Sequence, residues 1–135
     1  MTIKKLKEST QSLSLLYVED NKSLSQVKLE IFQEMFAKVV YAKDGYEGLK
    51  AYQEEHFDLV ITDINMPNMD GIQMIEKIRK TDANQAVMVL SAYGEYEYLS
   101  RLKELNITSF LTKPVETKKL ISEIGKSIQR DKESV

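Results

Sequence analysis

Hydrophobic positions along the chain come in two patterns: short unbroken runs, and longer stretches in which they recur every three or four residues. Leu59-Val60-Ile61-Thr62-Asp63 is the most telling run. It is too short for a helix, rich in β-branched residues and ended by a carboxylate. Ile64-Asn65-Met66-Pro67-Asn68-Met69-Asp70-Gly71 breaks it at once, which predicts a buried strand followed by a Pro/Gly loop. Leu13-Ser14-Leu15-Leu16-Tyr17-Val18 predicts a first strand, ending in Glu19-Asp20-Asn21. Val39-Val40-Tyr41-Ala42 predicts a second. Ala86-Val87-Met88-Val89-Leu90 predicts a fourth that ends at Ser91-Ala92, and Ser109-Phe110-Leu111-Thr112 a fifth that ends at Lys113-Pro114.

Helical spacing fills the intervals. Over 22–36, Leu24, Val27, Ile31 and Met35 form one stripe with Phe32 and Phe36 beside it, and Asn21 or Ser23 is the cap. Asp44 caps a helix over 45–54 with Tyr46, Leu49 and Tyr52 on its inner face; Gly48 inside it costs about 1 kcal/mol against alanine. Asp70 caps a helix reaching about position 80, carrying Ile72, Ile75 and Ile78. Tyr93-Gly94 breaks the chain ahead of a weaker helix over 95–104 with Tyr96, Leu99 and Leu102. Thr117 caps the last helix, whose stripe is Leu120, Ile121, Ile124 and Ile128. The polar start, 1–12, reads as an N-terminal extension, frayed or making a short helical turn, and 130–135 reads as a polar tail.

Five strand–helix pairs predict an α/β fold: a parallel sheet covered by five helices on its two faces. The first, third and fourth runs are nearly all apolar, as strands buried on both faces must be; the second and fifth are shorter or more polar, which suits edges. No internal repeat or linker interrupts 13–129, which is read as one domain.

Composition narrows the function classes. A chain of 135 residues suits one core. Nineteen basic against 21 acidic residues leave a formal charge of −2, no electrostatic footprint for nucleic acid or an anionic membrane. The lack of cysteine excludes a disulfide framework and a thiolate zinc site. No apolar run approaches the roughly 20 residues of a membrane span, and 1–11 lack the apolar core of a secretion signal. A cytoplasmic location is the expectation.

In a parallel sheet all strand C-termini lie along one rim, where open α/β sheets bind ligands. That rim collects Glu19, Asp20, Asp63, Ser91 and Lys113. Three clustered carboxylates raise one another's pKa, and a hard divalent cation relieves the repulsion; magnesium prefers carboxylate and carbonyl oxygens plus water. Glu19, Asp20 and Asp63 therefore predict a Mg2+ pocket. Phosphoryl transfer needs mainly positioning and charge neutralisation. Asp63 would supply the attacking oxygen and become an acyl phosphate. Lys113 adds positive charge, and the Ser91 hydroxyl a hydrogen bond to phosphoryl oxygens. Asp58 is a poor rival, roughly 16 Å away at about 3.3 Å per residue along the same strand, on the opposite rim. His56, the single histidine, falls in a loop on that far side. Gly45 and Gly48 lack the spacing of a phosphate-binding loop.

As a set and in this order, Val18-Glu19-Asp20-Asn21, Thr62 through Gly71, Ser91-Ala92 and Phe110-Leu111-Thr112-Lys113-Pro114 resemble the receiver domains of two-component response regulators, the chemotaxis regulators among them. The resemblance covers 13–129. It implies a flavodoxin-like sheet of order 2-1-3-4-5. Asp63 matches the phosphoacceptor, and Glu19 and Asp20 the acidic pair, Asp20 being the nearer Mg2+ ligand. Asn65 matches the residue whose backbone carbonyl reaches the metal. Ser91 matches the switch hydroxyl, Phe110 the switch aromatic and Lys113 the site lysine, with a cis bond to Pro114. Serine at 91 replaces the commoner threonine, and Phe110 lacks a phenol. Asn65 and Tyr93 match positions that tune hydrolysis.

The resemblance implies a switch that takes a phosphoryl group from a histidine kinase or phosphotransfer protein and changes the surface of the last two helices and last strand. Its target would be a downstream protein or a fused output domain, since no DNA-binding or catalytic segment follows 129; a second copy of the chain is a further candidate partner. It is expected not to be an enzyme beyond slow autodephosphorylation. Two other readings stay open. An aspartate-nucleophile phosphatase would usually carry a second aspartate at 65, where Asn65 stands. A phosphate-independent pseudo-receiver would not need the full acidic set or Lys113.

Overall fold

Five strands, β1 (Ser14–Val18), β2 (Lys38–Ala42), β3 (Leu59–Asp63), β4 (Val87–Ser91) and β5 (Ser109–Thr112), pair in parallel in the order β2-β1-β3-β4-β5. They are described by a computed structural model covering residues 3–92 and 96–133. The order and the flavodoxin-like α/β class are those expected, with β2 and β5 at the edges. Register sets the rim: Val18 lies opposite Ala42 and Thr62, Asp63 opposite Leu90, and Ser91 opposite Thr112.

Six α-helices are described: α1 (Ile3–Thr10), α2 (Lys22–Met35), α3 (Gly45–Glu54), α4 (Gly71–Thr81), α5 (Leu99–Glu104) and α6 (Thr117–Glu133). Alternation along the strands divides the core into two layers. Leu16, Val18, Val60 and Val89 face α4 residues such as Met74 and Ile75, with Leu102 of α5. Leu15, Tyr17, Leu59, Ile61 and Leu90 face Phe32 of α2, Leu120 and Ile124 of α6, and Leu6 of α1. No helix among the described residues is long and apolar enough to cross a membrane.

Four expectations are corrected. The lead-in is a packed helix, so the described residues form six α-helices rather than five. Leu6 is 1% exposed, and the Thr10 hydroxyl donates to the Met35 carbonyl at 2.6 Å. Helix α6 runs through 130 to Glu133, into the segment read as a tail. Val27 and Tyr46, placed on inner stripes, are 64% and 62% exposed. The weak helix is split: a 3-10 turn at Tyr96–Tyr98 precedes a six-residue α5.

Candidate functional site

Glu19, Asp63 and Lys113 reach the same rim because each stands at or just past a strand C-terminus, and strand parity turns them to one face. Glu19 continues the Leu15, Tyr17 series, and Asp63 the Leu59, Ile61 series. Glu19 extends the ladder one residue past β1, its N–H donating to the Ala42 carbonyl at 3.1 Å. The carboxylates of Glu19, Asp20 and Asp63 each offer an oxygen within 4.8 Å of the others. Glu19 and Asp63 are buried at 1% and 4% exposure, whereas Asp20 faces solvent. Lys113 crosses to them, Nζ standing 2.8 Å from Asp63 Oδ1 and 3.4 Å from Glu19 Oε2. Its peptide bond to Pro114 is cis, as the resemblance implies. Asp20, Asn65 and Ala92 join these three around a cavity of about 200 Å3.

Burial pushes the Asp63 carboxyl well above the usual carboxylate range; Glu19 adds to this and Lys113 opposes it. Burial would lower the Lys113 ammonium, but Asp63 and Glu19 outweigh that and hold it above its ordinary value. Asp63 Oδ1 is a buried oxygen without a hydrogen bond of good geometry among the described residues, although Lys113 makes a charge contact with it. Three clustered carboxylates, two of them buried, with no sulfur or imidazole donor fit a hard cation such as Mg2+.

The loop after β3 is clamped beneath this cavity. Gly71 N–H donates to the Ile64 carbonyl at 2.7 Å, and a Cβ at Gly71 would lie 2.0 Å from the Asp63 carbonyl oxygen, so only glycine allows that approach. Asn68 holds φ 68°, a left-handed value that asparagine tolerates, and its Nδ2 donates to Asp44 Oδ2 at 2.8 Å. Asp70 is the cap of α4, in a reciprocal pair with Gln73.

A model of the response regulator receiver domain matches residues 15–125. The chain belongs to that family. This receiver domain is 34% identical over 117 residues to the transcriptional regulatory protein GlrR of Escherichia coli (strain K12), a match covering 86% of this chain and 26% of that protein. The chain thus spans about a quarter of that relative's length. It is 33% identical over 114 residues to the chemotaxis protein CheY of Treponema pallidum (strain Nichols), covering 82% of this chain and 79% of that one. The crystal structure of the N-terminal domain of an uncharacterized protein from Wolinella succinogenes superposes with a TM-score of 0.82 at 31% identity, covering 92% of this chain and all of that one.

Other expected positions in the receiver domain lie apart from the cavity. The half-buried Ser91 hydroxyl is turned to the Leu111 carbonyl at a long 3.5 Å. Phe110, 38% exposed, stands on the outer strand β5. Tyr93 lies outside the described residues. His56 is on the opposite rim, its Nε2 3.2 Å from Asp58 Oδ1. Asp58 is structural, accepting from the Ser14 N–H at 2.8 Å. Sequence reasoning missed Tyr41: its phenol donates to the main-chain carbonyl of Glu19. A tyrosine in an edge strand reads as packing, and only the β1–β2 register brings its hydroxyl to the acidic pair.

Proposed function

We propose that Asp63 is the phosphoacceptor of a phosphorylation-controlled switch. The supporting observation is the meeting of three acids and one ammonium, with Lys113 Nζ 2.8 Å from Asp63 Oδ1 and the acidic oxygens within 4.8 Å of one another. Glu19, Asp20, Asp63 and the Asn65 carbonyl would hold Mg2+, which when bound supplies neutralising charge for phosphoryl oxygens. A carboxylate oxygen of Asp63 forms an O–P bond as the N–P bond of a partner's phosphohistidine breaks, the imidazole leaving with the electron pair. Lys113 balances the added negative charge.

Ser91 then exchanges the Leu111 carbonyl for a phosphoryl oxygen, and Phe110 turns inward into the space vacated. This draws on a two-state equilibrium that the phosphoryl group biases by binding one form better. The altered face comprises β5, α5 and α6. The donor is a histidine kinase or phosphotransfer protein; the reader is a separate protein, a fused output domain or a second copy. A cytoplasmic location and slow self-dephosphorylation belong to the same proposal. Asn65 in place of a second aspartate weighs against the phosphatase reading, and the complete acidic set against the pseudo-receiver.

The test is exposure to acetyl phosphate with Mg2+, followed by intact-mass analysis. The wild type should gain one phosphoryl adduct that hydroxylamine removes, and Asp63→Asn none. A stoichiometric, hydroxylamine-stable phosphate on D63N would overturn the assignment.

A further inference from the structure

We propose that Tyr41 is a positioning residue for the acidic pocket, a role that rests on reading that pocket as a Mg2+ site. Residues of β2 hold both main-chain polar atoms of Glu19. Its N–H donates to the Ala42 carbonyl at 3.1 Å, and its carbonyl accepts from the Tyr41 phenol. The first contact prolongs the ladder; the second is a side-chain contact made beyond it.

That carbonyl belongs to the peptide plane linking Glu19 to Asp20. Glu19 is fixed by the ladder and by burial, but Asp20 is exposed and is gripped by no strand. Rotation of the plane between them would swing one carboxylate away from the other. Mutual repulsion of the acids favours such a swing whenever no cation is bound. The Tyr41 hydroxyl opposes it, so the two acids stay gathered before the ion arrives. Preorganisation of this kind strengthens binding without adding a ligand.

Tyr41 is itself well anchored. It lies directly opposite Tyr17 in the β1–β2 register, with ring centroids 5.9 Å apart. Tyr17 packs edge-on against Phe32 at 5.1 Å. The ring therefore holds its place through packing, and its hydroxyl connects it to the pocket. Removing that oxygen leaves the core filled.

The experiment is calorimetric titration of the full chain with Mg2+, comparing wild type, Tyr41→Phe and Tyr46→Phe, the last a control on an exposed ring. Y41F should bind Mg2+ about tenfold more weakly, the lower end for loss of an outer-shell partner, with Y46F unchanged. Its acetyl-phosphate reaction should need a correspondingly higher Mg2+ concentration for half-saturation, while the rate at saturation stays within about twofold of wild type. A urea midpoint near that of wild type excludes general loosening as the cause. Equal Mg2+ affinity of Y41F and wild type overturns the role of Tyr41 alone; failure of the wild type to bind Mg2+ overturns the pocket reading and this inference together.

Discussion

Asp44 is where local structure and the site meet in one side chain. It caps α3 by accepting from the Glu47 N–H at 2.8 Å, and its other oxygen accepts from Asn68 in the loop after β3. Burial would raise its carboxyl, but the Glu47 and Asn68 donors outweigh this and hold it below its ordinary value. A lowered folded pKa contributes stability above the unfolded value of about 3.9, and that stability is lost as pH falls through the folded value. Asp44→Ala should therefore cost about 1–2 kcal/mol at neutral pH, and its deficit should shrink below about pH 3.9, read from urea midpoints at several pH values. At this scale the acids and Lys113 were legible because strand-end position and charge place them on one rim. The turning of the Ser91 hydroxyl to the Leu111 carbonyl and the exposure of Phe110 were not, since side-chain rotation leaves no trace in spacing. Tyr41 was not legible either, because its partner depends on register.

At the scale of elements, the strands were read nearly residue for residue, since short apolar or β-branched runs between polar or charged residues leave little freedom. The helices were placed well but partly misfaced. On α2 the positions 24, 27, 31 and 35 fit one stripe, yet Ser25 is 2% exposed while Val27 is open. A small serine whose hydroxyl returns to the Lys22 carbonyl at 2.9 Å is cheap to bury, and apolar counting cannot see it. Helix α1 escaped because, among its described side chains, Leu6 and Thr10 alone are buried, too few positions to make a period. Leu6→Ala should cost about 2–5 kcal/mol, as for other fully buried leucines, measured by urea unfolding. A loss near zero would mean that α1 is the frayed lead-in its sequence suggests.

For the whole molecule, an ion gathering three acids of the folded rim, as proposed for Mg2+, would bind the native state only. Stability should then rise with Mg2+ as mass action requires, by about 2.7 kcal/mol at a hundred times the dissociation constant. Asp20→Ala should blunt that gain while leaving the urea midpoint without Mg2+ close to wild type, since Asp20 faces solvent. The sheet also divides the labour of signalling. Strand β3 is hydrogen-bonded on both sides, to β1 and to β4, so Asp63 sits on backbone that cannot shift without tearing two ladders. Strand β5 is paired only with β4, and Phe110 stands on that outermost strand. On the proposed reading, a message written at the stiff centre is displayed at the margin, where a ring can swing without any backbone bond being given up.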